Sequence, residues 1–279
     1  MRERAGLQRE LEVLHSPDGR TRIVDTTLVP WRWVCHLDIT YLDPGERYAE
    51  KKQAGTGVLI GPRHVLTAAH NLLSDDGRLK TQSIRVTPGR NGSRKPFGTI
   101  DAASWKTHPR WVQKGKSNRD FDYALITLDD SIGTRKFSAL QNRPLGYWSD
   151  PKWGAGSALG GLAVAQLDGI TVNVAGYAGD KPAGTLWSGK GTAKRATEVA
   201  GGKLRNRERV VMHDVDTGKG QSGGPMWVWY SKSGRRNLVG VHVAPAEVLA
   251  VDASGNTRRT HNLAVRISDD VIKQLNAWM

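Results

Sequence analysis

A single cysteine, Cys35, stands in 279 residues, so no disulfide can form within the chain, and packing and hydrogen bonds must hold the fold. Cys35 lies in an alternating apolar stretch, where a small buried hydrophobe is expected rather than a nucleophile. No apolar run approaches membrane-spanning length, which excludes a helical membrane protein. Met1 to Glu12 is charged and lacks the apolar core of a signal peptide, so no export signal is visible and the sequence leaves the compartment unknown. Acidic residues are in deficit, 27 against 41 Lys and Arg, giving a formal net charge of +14. That balance favours acidic partners. The basic clusters Arg90 to Lys95, Lys190 to Arg195, Lys203 to Arg209 and Arg258-Arg259 match no nucleic-acid motif, however, so a basic surface is expected and no nucleic acid.

What the chain has is 32 glycines, 12 prolines and 10 tryptophans around short apolar runs, the composition of an all-β protein. Trp33, Cys35, Leu37, Ile39 and Tyr41 alternate with more polar residues at the period of a strand, and a turn follows at Asp43-Pro44-Gly45. Further strands are predicted at Gly57 to Ile60, His64 to Thr67, Ser83 to Thr87 and Tyr123 to Leu128. Beyond a linker over 129–147, the same texture returns at Ile170 to Val174 and Val210 to Val215. Trp227 to Tyr230 and Leu238 to Val243 read as a hairpin. A helix is expected at the end, capped by Ser268, with Asp269 and Asp270 at its positive pole and Val271, Leu275 and Trp278 on one face. A second, short helical segment is expected around Leu7 to Leu14. The expected organisation is a polar extension over 1–20, a first β-barrel over 21–135, a linker and second β-barrel over 136–262, and the C-terminal helix over 263–279.

Gly218-Lys219-Gly220-Gln221-Ser222-Gly223-Gly224-Pro225 sets a serine among glycines whose bare backbone can bring N–H groups close to a developing oxyanion. Gly220 to Gly224 also fits the G-x-S-x-G elbow of α/β-hydrolases, but that elbow needs a helix after the serine, with the acid and histidine further on. Here Met226-Trp227-Val228-Trp229-Tyr230 reads as strand. The upstream order histidine, aspartate, serine fits instead: Thr67-Ala68-Ala69-His70 ends a strand and Asp122-Tyr123-Ala124-Leu125 opens another. His64 is a rival base, though it falls inside a strand, and Asp120 is a rival acid. His64 with His70 could also suggest a metal site, but no supporting ligands stand at sensible spacing, so neither metal nor cofactor is expected.

These three segments resemble the signatures of the trypsin-like, chymotrypsin-fold serine endopeptidases. The resemblance implies two packed antiparallel six-stranded β-barrels with a C-terminal α-helix. It also implies a protein or peptide substrate cleaved through an acyl-enzyme by a secreted monomer that needs neither membrane nor nucleic acid. On the matching positions, His70 would be general base and acid, Asp122 its orienting partner, Ser222 the nucleophile, and the Gly220 and Ser222 N–H groups the oxyanion hole.

Within that family the chain is most similar to the bacterial glutamyl endopeptidases, through Ile23-Val24-Asp25-Thr26-Thr27, Gly176-Tyr177-Ala178-Gly179-Asp180-Lys181-Pro182, Asp216-Thr217 and Gly240-Val241-His242. The absence of disulfides suits that branch, since Asn71 follows His70 where many animal relatives have cysteine. By this resemblance Thr217 and His242 would bind a substrate glutamate; the alternatives are basic specificity through Asp216, or a catalytically silent binding protein of the same fold. Gln221 stands where trypsin keeps the aspartate that pairs with a new N-terminal amine, so that activation switch is unavailable. Pro245 stands where relatives commonly have a glycine that pairs with substrate, and proline has no N–H to donate. By the same resemblance, counting back without gaps from Ile23 puts Val13 near where the mature enzyme would begin, which implies a candidate processing junction between Glu12 and Val13, against the simpler expectation of an inert tail.

Overall fold

A computed structural model describes residues 17–43, 49–152, 157–200, 203–245, 249–251, 257–259 and 261–279. The expected helix around Leu7 to Leu14, the Glu12/Val13 junction and the Pro44-Gly45 turn lie outside the described residues.

A two-residue strand β1 (Thr21–Arg22) precedes the first barrel, which consists of β2 (Val34–Asp43), β3 (Ala49–Leu59), β4 (His64–Thr67), β5 (Lys80–Pro88), β6 (Ile100–Thr107) and β7 (Ala124–Leu128). They close in the order β2-β3-β4-β7-β6-β5, every pair antiparallel. On β2 the expected inward residues Cys35, Leu37, Ile39 and Tyr41 are buried, while Asp38 and Thr40 keep partial exposure, as a pleated strand requires. His36, on the outward face, is also buried, because Tyr177 of the second half packs edge-on against it with ring centroids 5.1 Å apart.

The second barrel comprises β8 (Thr171–Gly176), β9 (Trp187–Ala200), β10 (Lys203–His213), β11 (Pro225–Tyr230), β12 (Arg235–Pro245) and β13 (Asn262–Arg266). The ring runs β9-β8-β11-β12-β13-β10, and the β9–β10 pairing closes it. The hairpin expected between Trp227 and Val243 is present as β11–β12. Two of the expected boundaries move. Thr21 and Arg22 pair with Ser188 and Trp187 of β9, so the chain's first strand joins the second barrel rather than the first. Residues 262–266 are a strand of that barrel, and the helix begins only at Asp269 (Asp269–Trp278).

That helix is capped as expected, the Val271 N–H donating to Ser268 Oγ, and it buries Val271 and Leu275. Trp278 lies against Tyr123, 5.7 Å between centroids, so the last turn of the chain covers the first barrel beside Asp122. The stretch read as a linker is packed rather than loose. Trp33 Nε1 donates to the Leu145 carbonyl at 3.0 Å, and Trp148 stands between Trp33 and Trp227, 5.8 Å from each. This indole column joins the two barrels through apolar area and edge contacts.

Candidate active site

The register of β4 and β7 explains the first half of the site. Thr67 pairs with Ala124, so residues just after β4 and just before β7 emerge at the same barrel end. His70 sits three positions beyond Thr67 in a one-turn 3-10 segment, Ala69–Asn71, and Asp122 closes the 3-10 turn Arg119–Phe121 just before β7. They meet twice: the His70 backbone N–H donates to Asp122 Oδ1 at 2.9 Å, and ring Nδ1 lies 2.8 Å from Oδ2. An ionised carboxylate only accepts, so Nδ1 carries the proton and Nε2 keeps its lone pair.

Asp122 is fully buried. Burial alone would raise its pKa, but His70, with Arg119 and the His70 N–H, holds it below the ordinary carboxylate value. For His70 the pulls reverse: burial lowers the imidazole's pKa, Asp122 raises it, Arg119 lowers it again, and the net direction is upward. Arg119 was not legible as a site residue. Its guanidinium donates to the same Asp122 Oδ2 at 2.9 Å and to Asp75 at 3.0 Å, and lies over the Trp111 ring. The rivals go elsewhere. Asp120 pairs with Arg207 of β10, and His64 stands at the far end of β4, opposite Thr127, with burial lowering its pKa. Among the described residues no group of three or more His, Cys, Asp or Glu could hold a metal.

The second half comes from the loop between β10 and β11. Gln221 N–H donates to the Gly218 carbonyl and Gly224 N–H to the Gln221 carbonyl, folding the loop into consecutive turns. Gly223 N–H donates to the His242 carbonyl at 2.7 Å. Glycine is required at two places. Gly220 has φ +96° with the Tyr177 carbonyl 2.6 Å from where a Cβ would stand, and Gly223 has φ +85° with the Thr56 carbonyl at 2.1 Å.

The first barrel grips this loop. The Ser222 carbonyl accepts from Thr56 N–H at 3.0 Å and from Asn71 Nδ2 at 2.9 Å, while Thr56 Oγ1 donates to the Gly220 carbonyl at 2.7 Å. Asn71 is the neighbour of His70, so one short turn carries the histidine and also holds the serine's backbone. Its only sequence signal was an asparagine after His70; Thr56 gave none. Ser222 itself is largely buried, with Oγ 3.4 Å from the Val243 carbonyl of β12.

Thr217, in this loop, and His242, on β12, are both fully buried, and Thr217 Oγ1 has no hydrogen-bond partner among the described residues. A second histidine backs the first: His213 Nε2 lies 3.2 Å from His242 Nδ1, and burial, with His242 beside it, drives the His213 pKa well down, leaving it neutral. Asp216 turns toward the chain's start, its Oδ2 accepting from Gly19 N–H at 2.7 Å. Pro245 is buried at the end of β12, opposite Asn262, after an irregularity between His242 and Ala244.

Residues 55–241 match the family model described as a trypsin-like peptidase domain. The chain belongs to this family. It is a serine endopeptidase with the trypsin-like fold. A glutamyl endopeptidase of Bacillus licheniformis is 28% identical over 262 residues, 94% of this chain and 67% of that protein. A Bacillus subtilis protein named extracellular metalloprotease is 27% identical over 261 residues, 94% of this chain and 68% of its own length. Among solved structures, a Glu endopeptidase in complex with MPD superposes with a TM-score of 0.66 at 22% identity, covering 95% of this chain and 99% of that one. These place the chain near the glutamyl endopeptidase branch of the trypsin-like peptidases.

Proposed function

We propose that this trypsin-like peptidase cuts peptide bonds after glutamate, with Ser222 as nucleophile, His70 as general base and acid, and Asp122 as the group that fixes the imidazole. The observation that carries the reading is the doubly bonded His70–Asp122 pair, beside which Asn71 and Thr56 hold the backbone of Ser222. His70 Nε2 takes the Ser222 proton as Oγ attacks the substrate carbonyl. The oxyanion forms against the N–H groups of Gly220 and Ser222, and the imidazolium then protonates the leaving amine. Water, deprotonated by the same Nε2, releases the acyl group.

Thr217 and His242 support acidic specificity. A buried hydroxyl with no partner is costly to leave so, and a carboxylate arriving in the pocket would accept its proton. The engagement of Asp216 with Gly19 speaks against basic specificity, since that carboxylate already accepts from a backbone N–H. Pro245 can offer substrate a carbonyl but no N–H, so backbone pairing with an extended peptide is weaker there by one donor. An extracellular setting fits the printed name of the Bacillus subtilis relative.

The test is labelling with a fluorophosphonate, with Ser222→Ala and His70→Ala as controls, followed by a matched peptide series bearing Glu, Asp, Lys or Arg before the scissile bond. Labelling of the parent alone and fastest cleavage after Glu are expected. An unreactive, folded parent would establish the silent binding protein instead, and faster cleavage after Lys or Arg would return the pocket to Asp216.

A further inference from the structure

The side chain of Arg20 is completely shielded from solvent, although it stands immediately before a two-residue edge strand. An arginine is rarely buried without several acceptors. This one has three. Asp18 binds it in a fork, Nε to Oδ1 and Nη2 to Oδ2, both at 2.9 Å. Asp180 takes Nη1 at 3.1 Å and also pairs with Nη2. The third is not an acid: Nη1 donates to Gln221 Oε1 at 3.1 Å. Gln221 immediately precedes Ser222, and the same Oε1 accepts the Gly218 N–H at 2.9 Å. One amide oxygen therefore ties Arg20 to both limbs of the turn that contains Gly220.

Neighbouring contacts form a single strap. Gly19 N–H donates to Asp216 at the start of the serine loop. Asp180, which binds Arg20, follows Gly179, whose N–H donates to the Lys219 carbonyl at 2.6 Å. That contact fixes the orientation of the peptide unit joining Lys219 to Gly220, and so the direction of the Gly220 N–H. β1 pins the strap by pairing with β9, and Ile23 N–H donates to the Leu186 carbonyl at 2.8 Å. There is no slack around the guanidinium, since a Cβ on Gly218 would stand 2.3 Å from Asp180 and 2.6 Å from Arg20. Burial alone would lower the Arg20 pKa, but the paired carboxylates raise it and Arg20 lowers theirs, so all three groups stay ionised at neutral pH.

We propose that Arg20 is a positioning residue for the oxyanion turn, an internal cation that clamps Asp180 and Gln221 and thereby fixes the peptide bearing the Gly220 N–H. This rests on the serine-peptidase reading of Ser222 and extends it to a residue that touches neither substrate nor reacting atoms. The cation is a side chain within the chain, so organising the turn needs no newly formed terminal amine, which agrees with glutamine rather than an acid at position 221.

The experiment compares the full-length parent with Arg20→Ala, Arg20→Lys, Gln221→Leu and Gln221→Glu, each normalised by titration of reactive serine. A merely structural role would reduce the titratable fraction and leave turnover per site alone. Positioning predicts a fall in kcat per site of ~10²-fold for Arg20→Ala, the scale of a lost oxyanion donor. It also predicts parallel weakening of a peptide aldehyde, which forms a tetrahedral adduct, and saturable rescue by guanidinium at non-denaturing concentrations. Arg20→Lys loses less than Arg20→Ala; Gln221→Leu, which removes the acceptor, falls as Arg20→Ala does, and Gln221→Glu, which keeps one, loses less than Gln221→Leu. Should Arg20→Ala fail to accumulate folded, Gln221→Leu decides alone, because it leaves the ion pairs with Asp18 and Asp180 in place. Turnover per site and aldehyde affinity within about twofold of the parent in folded Arg20→Ala or Gln221→Leu would overturn the proposal. A parent that neither labels nor cleaves would instead sink the peptidase reading beneath it.

Discussion

Arg119 donates to the Oδ2 atom of Asp122 at 2.9 Å, the same oxygen that receives the His70 ring proton at 2.8 Å. The carboxylate is thus shared between a permanent cation and a group that, on the proposed mechanism, becomes a cation during the reaction. Arg119 opposes protonation of His70, and Asp122 favours it. Removing the guanidinium should therefore raise the imidazole pKa. For Arg119→Ala, the acid limb of the kcat/KM profile against pH is expected to move to higher pH, with a lower plateau because Asp122 loses an anchor. An acid limb unchanged or moved to lower pH would show that Arg119 does not tune the histidine.

Thr217→Val separates binding from stability. Valine keeps the shape and removes a buried hydroxyl that has no partner among the described residues, so the free protein should be no less stable. If that hydroxyl meets the substrate carboxylate, kcat/KM toward a Glu peptide should fall by about 10- to 100-fold, the range of a hydrogen bond to a charged group at ~1.5–3 kcal/mol. Peptides with an uncharged residue at that position should change little. Equal losses on both substrates would remove Thr217 from specificity.

Gly223→Ala places a methyl 2.1 Å from the Thr56 carbonyl at a positive φ, so the loop must leave the first barrel. Fluorophosphonate labelling should be abolished while each barrel keeps its core, which near-native circular dichroism alongside absent labelling would record.

Asp18 and Asp180 both have folded pKa values below those of free carboxylates, Arg20 being the main cause. Their contribution is complete above the unfolded value of ~4 and disappears as the pH falls through the lower folded values. The melting temperature should therefore drop between roughly pH 4 and pH 2, and less steeply in Asp180→Asn. Both carboxylates are partly exposed, so solvent screening keeps the effect modest, and salt should reduce it further. A slope identical in parent and variant would argue against this coupling.

The parts of the candidate site that are local were legible in the sequence. Thr67 to His70, Asp122 to Leu125 and Gly218 to Pro225 each set a candidate reactive group at a strand end, where a short window of residues suffices. What it hid depends on partners far along the chain. Arg20 reads as one more charge in a polar extension until β1 pairs with β9 and brings it under Gln221, 201 residues away. Thr56 looks like an ordinary strand residue, yet it holds both Ser222 and Gly220. The basic clusters around Lys190 to Arg195 and Lys203 to Arg209 lie on β9 and β10. Toward their tip these strands pair with each other beyond the reach of β8 and β13, and with no second neighbour there among the described residues, alternating hydrophobicity has no reason to appear.

Thr56 and Asn71 give the molecule a property that neither barrel has alone. Because both grip the Ser222 backbone from across the divide, the proposed nucleophile is aligned only while the halves are docked. Turnover is then a readout of docking: a solvent or a substitution that parts the barrels would silence the enzyme well before either one unfolded.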